Sequence, residues 1–167
     1  MKRIACLVSF VVVAITSLAQ RSVDFASKYM ACCNGDTLVK CVTIGPKMME
    51  QLTKHHDANS NEYIDQAIQK LKSARIIISN VNGEDYYIKA ENLLKRYPKR
   101  FRHDKDYHNA HAMGTFYQRM SKDGKVVELV MLHNDTVKNA MVIVNLTGDI
   151  DEEFTELLSK NLGNKNR

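Results

Sequence analysis

Tryptophan is absent from the chain, proline occurs twice and glycine seven times in 167 residues. So little proline and glycine excludes collagen-like, linker-built and low-complexity chains. A single long apolar run, at the N-terminus, excludes a multi-pass helical membrane protein. The sequence also lacks a Gly-x-Ser-x-Gly elbow, a glycine-rich phosphate loop, a His-Glu-x-x-His helix and a Cys-x-x-Cys pair, so the common signatures of nucleophilic, phosphate and zinc chemistry are missing. What is present, 44% apolar and 26% charged residues with a net charge of +5, suits one soluble domain with a single core.

The apolar run speaks to compartment. Lys2 and Arg3 form a positive n-region, Ile4–Ile15 is apolar or small throughout, and Ser17-Leu18-Ala19 offers small residues where signal peptidase cuts. An uncleaved anchor needs about 20 apolar residues, and Thr16, Ser17 and Gln20 cut this run short. The expectation is a signal peptide over residues 1–19, cleaved near Ala19/Gln20, with residues 20–167 as a single periplasmic or secreted α+β domain. Cys6 stands at the front of the run rather than at the cleavage point, so lipid attachment is not expected. Cleavage removes Lys2 and Arg3 and takes the net charge from +5 to +3.

Export leaves Cys32, Cys33 and Cys41 where disulfides can form. If Cys33 ends a helix and Thr37 starts a strand, Cys41 lies about 13 Å along it at roughly 3.3 Å per residue, whereas a bridge needs Cα atoms within about 7 Å. Adjacent Cys32 and Cys33 could bond only through a strained peptide. Small buried thiols are the expectation.

Periodicity and punctuation organise the rest. Ser22 is read as the cap of a first helix carrying Phe25, Tyr29 and Met30, stopped by Asn34-Gly35. Leu38–Ile44 is strand-like, and Pro46 suits the first turn of a helix with Met48, Met49 and Leu52. Asn59 with Glu62 forms a capping box before Ile64, Ala67, Ile68 and Leu71, which share a helical face. Arg75–Asn80 reads as a short strand, and Asn82 with Asp85 starts a helix limited by Pro98. Met113–Met120, Lys125–His133 and Ala140–Leu146 then form an antiparallel meander with Asp123-Gly124 and Asn134-Asp135 as hairpin signals. Asp149 with Glu152 caps a final helix bearing Phe154, Leu157, Leu158 and Leu162, stopped by Gly163. Joining the first two strands by a right-handed crossover predicts a mixed sheet of about five strands, helices mainly on one face. Both alternating sets of the meander are apolar, Val127, Leu129 and Met131 against Val130 and Leu132, so part of the second face is expected to be covered by a helix, a loop or another subunit.

Taken together, the signal peptide, Phe25 and Tyr29 in a first helix, Val42-Thr43-Ile44 running into Lys47-Met48, and Val144-Asn145-Leu146-Thr147-Gly148 before an acidic helix start resemble the domain of unknown function 4252 family. The resemblance implies an exported protein of a Gram-negative envelope and carries no activity, cofactor or catalytic residue with it. Many members are lipoproteins, and this chain departs from them in having no cysteine at the cleavage site.

Between Lys89 and His111 seven basic residues face three acidic ones, interleaved with Tyr97, Phe101 and Tyr107. Lys95, Arg96, Lys99, Arg100 and Arg102 are the candidate contacts for an anionic envelope component or another envelope protein, with peripheral membrane contact open; the bland alternative is a solvated helix end complementing its dipole. His103, His108 and His111 are weak candidates for a metal, since their spacing fits no established motif, and His55-His56 is weaker still. No cofactor is expected, and export disfavours nucleic acid. The expected function is a non-catalytic binding or interaction module; an enzyme or metal-binding protein using the His103/His108/His111 segment is the alternative.

Overall fold

The computed structural model describes residues 23–54 and 62–164. The segment read as a signal peptide, Ser22, His55, His56 and Asn59 lie outside the described residues. Along the chain come α1 (Phe25–Cys32), β1 (Lys40–Ile44), α2 (Pro46–Lys54), α3 (Glu62–Gln69), β2 (Leu71–Ser79), α4 (Gly83–Lys95), β3 (Arg102–His108), β4 (Ala112–Met120), β5 (Val126–Asp135), β6 (Ala140–Ile150) and α5 (Glu152–Asn164). No helix among the described residues is long and apolar enough to cross a membrane.

The α+β class holds, with a different sheet. Six strands lie in the order β1-β2-β6-β5-β4-β3, every neighbouring pair antiparallel, in place of a mixed sheet of about five. The expected crossover fails because two helices, α2 and α3, connect β1 to β2. They pack on one another and return the chain to the end it left, so that Ile44 pairs with Ala74. One lengthwise helix would have delivered a parallel strand.

The additional strand is β3, with the sequence Arg-His-Asp-Lys-Asp-Tyr-His. It carries little of the β-branched content that marks strands and forms the sheet's outer edge, where charge blocks unwanted edge-to-edge pairing. Tyr107 holds it there. Its ring covers Gly114, its partner on β4, and a Cβ at that position would clash with the hydroxyl end of the ring.

Helices cover both faces rather than mainly one, and the cover expected over the second apolar set of the meander is helical. On one face, α1 and α4 bring Phe25, Tyr29, Tyr86, Ala90 and Leu94 against Ile77, Val130, Leu132 and Ile143. On the other, Met49 of α2, Ala67 of α3 and Phe154 of α5 pack on Leu129, Met131 and Leu146. The alternation of Leu129 and Met131 against Val130 and Leu132 is a strand between two apolar layers.

Local signals shift by a residue or two. Asp24 caps α1, its carboxylate accepting from the Ser27 amide at 2.7 Å. Asp151 caps α5, accepting from the Phe154 amide at 2.9 Å, while Asp149 lies in β6 and α5 runs past Gly163 to Asn164. Asn82 precedes α4 in a left-handed conformation without a side-chain cap, and Leu71 belongs to β2. All three described cysteines are free: Cys33 is buried, Cys41 half-buried and Cys32 exposed.

Phe154 is 5% exposed. Phe154→Ala is expected to cost about 3 to 5 kcal/mol, the range for truncating a buried phenylalanine, read as a lower midpoint in urea unfolding. A change within the surface range of about 0.5 kcal/mol would place α5 outside the core.

Candidate functional site

The basic segment begins in the last turn of α4, with Lys95. Arg100 and Phe101 amides donate to the Tyr97 carbonyl at 2.9 Å, closing a tight turn. Phe101 is buried, edge-on to Phe25 at 5.9 Å, and Lys28 of α1 stands 4.2 Å over the exposed Tyr97 ring. The five candidate cations divide here. Lys95 pairs with Glu91 at 2.8 Å, one helical turn back. Arg100 turns inward, donating to the Val23 carbonyl and lying 3.9 Å from Glu128. Arg96, Lys99 and Arg102 are exposed and make no ion pair among the described residues.

Glu128 is a residue that the sequence pattern did not single out. It is fully buried on β5 and surrounded by donors: Oε1 accepts from the Phe25 amide at 2.6 Å and Asn145 Nδ2 at 3.1 Å, Oε2 from Arg119 Nε at 2.7 Å. Asn145 Oδ1 in turn accepts from the Ala26 amide at 2.9 Å. The free N–H groups and positive dipole end of α1 are thus met by a carboxylate and an amide from the sheet. Nearby, Arg75 donates to Asp24 at 3.0 Å and to Ser27 and Thr43. Burial pushes the Asp24 carboxyl up, but the bonds to Ser27 and the charge of Arg75 outweigh it and hold the pKa below its ordinary value.

The three candidate histidines do not converge. His103 Nε2 lies 2.9 Å from Asp106 on β3, His108 ends that strand and His111 stands in the turn to β4. Among the described residues no group of three or more His, Cys, Asp and Glu could hold a metal ion. His133 on β5 is the histidine with a built environment, Nδ1 2.5 Å from the Tyr107 hydroxyl. Burial lowers its pKa, opposed by Asp135, and burial raises Tyr107 to about 12.

Two of the hollows beside the basic turn are lined by Arg102. One, of about 490 Å³, lies between β3, the β4–β5 hairpin and the start of α5, with Arg102, Lys105 and Lys125 facing Asp149 and Glu152. The other, of about 520 Å³, lies between α4 and β3 and is lined by Lys95, Phe101, Arg102, His103 and Tyr117 with Glu91 and Asp106. The first sets cations against carboxylates in one hollow; the second sits directly beneath the basic turn.

Removing one partner of a buried ion pair typically costs about 3 to 5 kcal/mol, and Glu128→Ala takes the carboxylate from three hydrogen-bond donors and from the nearby Arg100 charge. A loss in that range, measured by denaturant unfolding, is expected; a loss under about 0.5 kcal/mol would mean water replaces the carboxylate freely. For His133 the folded pKa lies below the unfolded value of about 6.5, so the unfolded chain binds the extra proton first and stability falls as pH drops through that value. The melting temperature of the parent should therefore decline relative to His133→Gln between about pH 7.5 and 5.5. A constant difference would show that His133 titrates alike in both states.

No curated protein matches the chain. Among solved structures, it is similar to a Pseudomonas aeruginosa protein of unknown function, PA94, at 12% identity and a TM-score of 0.35, over 75% of this chain and 80% of that one. It is also similar to the Saccharomyces cerevisiae Ran-binding protein Mog1p at 9% identity and a TM-score of 0.32, over 64% of this chain and 62% of that one. The family model for Domain of unknown function (DUF4252) matches residues 29–157, from Tyr29 in α1 to Leu157 in α5, and the chain belongs to that family.

Proposed function

We propose that the protein is an exported, non-catalytic binding module of the cell envelope that contacts an anionic partner through the turn between α4 and β3. The observation that carries the reading is the division of the five cations. Arg100 is spent on Glu128 and Val23, and Lys95 on Glu91, while Arg96, Lys99 and Arg102 stand exposed on a turn held by the buried Phe101. A rigid turn presents these charges without the ordering cost of a flexible loop, and clustered cations raise the local concentration of anions and speed encounter. The N-terminal run supports export, and an anionic envelope component is a partner available there.

The test replaces Arg96, Lys99 and Arg102 with glutamate and leaves Arg100 in place, because Arg100 belongs to the Glu128 cluster. At low salt the parent should sediment with phosphatidylglycerol vesicles, or be retained on an immobilised acidic glycan, and should ignore phosphatidylcholine vesicles. Binding should weaken as salt brings the screening length to about 8 Å. The triple variant should lose retention while its melting temperature stays within a few degrees. Equal retention of parent and variant on both supports would overturn the reading.

A further inference from the structure

Beyond the basic turn, the groove between α4 and the sheet edge continues into a second cavity of about 350 Å³. It exists because α4 packs on β5 and β6, leaving the β3–β4 side of that face without a helix. The volume is in the range of small-molecule sites. Its wall carries three carboxylates, Glu84 and Glu91 from α4 and Asp106 from β3, with Tyr87 and Met113 as apolar lining. His108 is the one lining side chain able to carry positive charge. Asp106 and Glu91 already hold His103 and Lys95, and Glu84 makes no ion pair among the described residues.

A second, independent observation points to a ligand. Asn134 lines this cavity, is 2% exposed, and its Oδ1 is enclosed without a hydrogen-bond partner. Other enclosed polar atoms among the described residues differ in setting. Asp65 and Arg100 are only part-buried, Arg100 bonds through Nη2, and Thr115 sits opposite Asp106 on the neighbouring strand. No hydrogen bond among the described residues holds the Asn134 side chain in one orientation, so a flip of the amide exchanges the enclosed Oδ1 for the Nδ2 end and turns the oxygen to the cavity. Leaving such a group unpaired destabilises the fold, and a native fold keeps one where strain, a functional role or a bound polar partner accounts for it.

We propose that this cavity binds a small organic cation with a primary ammonium group, which donates to the Asn134 amide oxygen and is balanced by Glu84, Glu91 and Asp106. A metal ion does not fit, because the carboxylates do not gather closely enough to ligate one. An ammonium needs no such shell: it can bond one acceptor and be balanced by carboxylates farther off, with its alkyl chain against Tyr87 and Met113. Burial and then the charges of Glu91 and Asp106 keep the Tyr87 phenol protonated well beyond its ordinary range, in keeping with a negative cavity.

The experiment titrates the intact, ¹⁵N-labelled protein with n-butylammonium chloride, with 1-butanol as the uncharged control, following the side-chain amide resonances of Asn134. A saturable shift with the ammonium and none with the alcohol is expected. Glu84→Gln and Asp106→Asn should each weaken binding about tenfold, equal to about 1.4 kcal/mol. Asn134→Leu should abolish it without lowering the melting temperature, since the variant removes an unpaired polar group and fills similar volume. Absence of a saturable shift up to about 10 mM, where even a millimolar site fills, equal response to 1-butanol, or undiminished binding by the carboxylate variants would each overturn the proposal. If Asn134→Leu does not fold, the two carboxylate variants decide it. Arg96, Lys99 and Arg102 do not line this cavity, so failure of the anionic-partner reading leaves this result unaffected.

Discussion

A buried carboxylate at the N-terminus of a helix organises this molecule. Taking Glu128 out of water is expensive, and the fold offsets that cost by surrounding it with the Phe25 amide, Asn145, Arg119 and Arg100. The exchange is mutual. The first turn of α1 has amides that no helical carbonyl can accept, and Glu128 and Asn145 take two of them, at Phe25 and Ala26. Helix α1 is thereby docked by directional bonds as well as by the apolar contacts of Phe25 and Tyr29. Apolar packing alone would permit α1 to slide along the sheet; a hydrogen-bonded end fixes its register.

The same carboxylate reaches the surface through Arg100. With its guanidinium drawn towards Glu128 and the Val23 carbonyl, and Phe101 buried beside Phe25, the chain leaving α4 is tied at two consecutive residues. Strand β3 starts at the next position. The exposure of Arg96 and Lys99 before that tie, and of Arg102 after it, follows from the direction in which Arg100 and Phe101 point. Charge on this surface is therefore set by a core interaction some distance from it in sequence, Glu128 lying on β5.

Much of the architecture was legible because it rests on local periodicity. The meander, α1, α4 and α5 follow from alternation, helical stripes and turn residues such as Asp123-Gly124, and the family resemblance rested on the same elements. What was not legible depends on pairing at long range. The direction of β2 relative to β1 hinges on two connecting helices packing together, which no pattern within either helix reveals. Strand β3 is mostly charged and histidine, so its sequence reads as solvated chain; only its place at the sheet edge makes it a strand. Glu128 left a signal, a lone carboxylate within Val-Val-Glu-Leu-Val-Met-Leu, yet its partners come from α1, β4, β6 and the turn after α4. The basic segment was visible as composition, but composition could not separate Arg100, which is consumed internally, from Arg96, Lys99 and Arg102.

The thoroughness of the Glu128 cluster gives the unpaired Asn134 its weight. Both residues lie on β5 and face the side of the sheet covered by α1 and α4, six positions apart, so alternation places them on one face. At the Glu128 end, helix α1 arrives with amides and two arginines follow; at the Asn134 end, α4 stays over β5 and β6, and the space above β3 and β4 is a cavity. Were Asn134 merely tolerated, an apolar side chain would fit the same position with less cost, since its neighbours Leu132 and Met141 are themselves apolar and buried. The polar group stands where the sheet opens to solvent-accessible space bounded by carboxylates, and that coincidence, rather than its burial alone, gives a polar partner from outside the chain something to recognise.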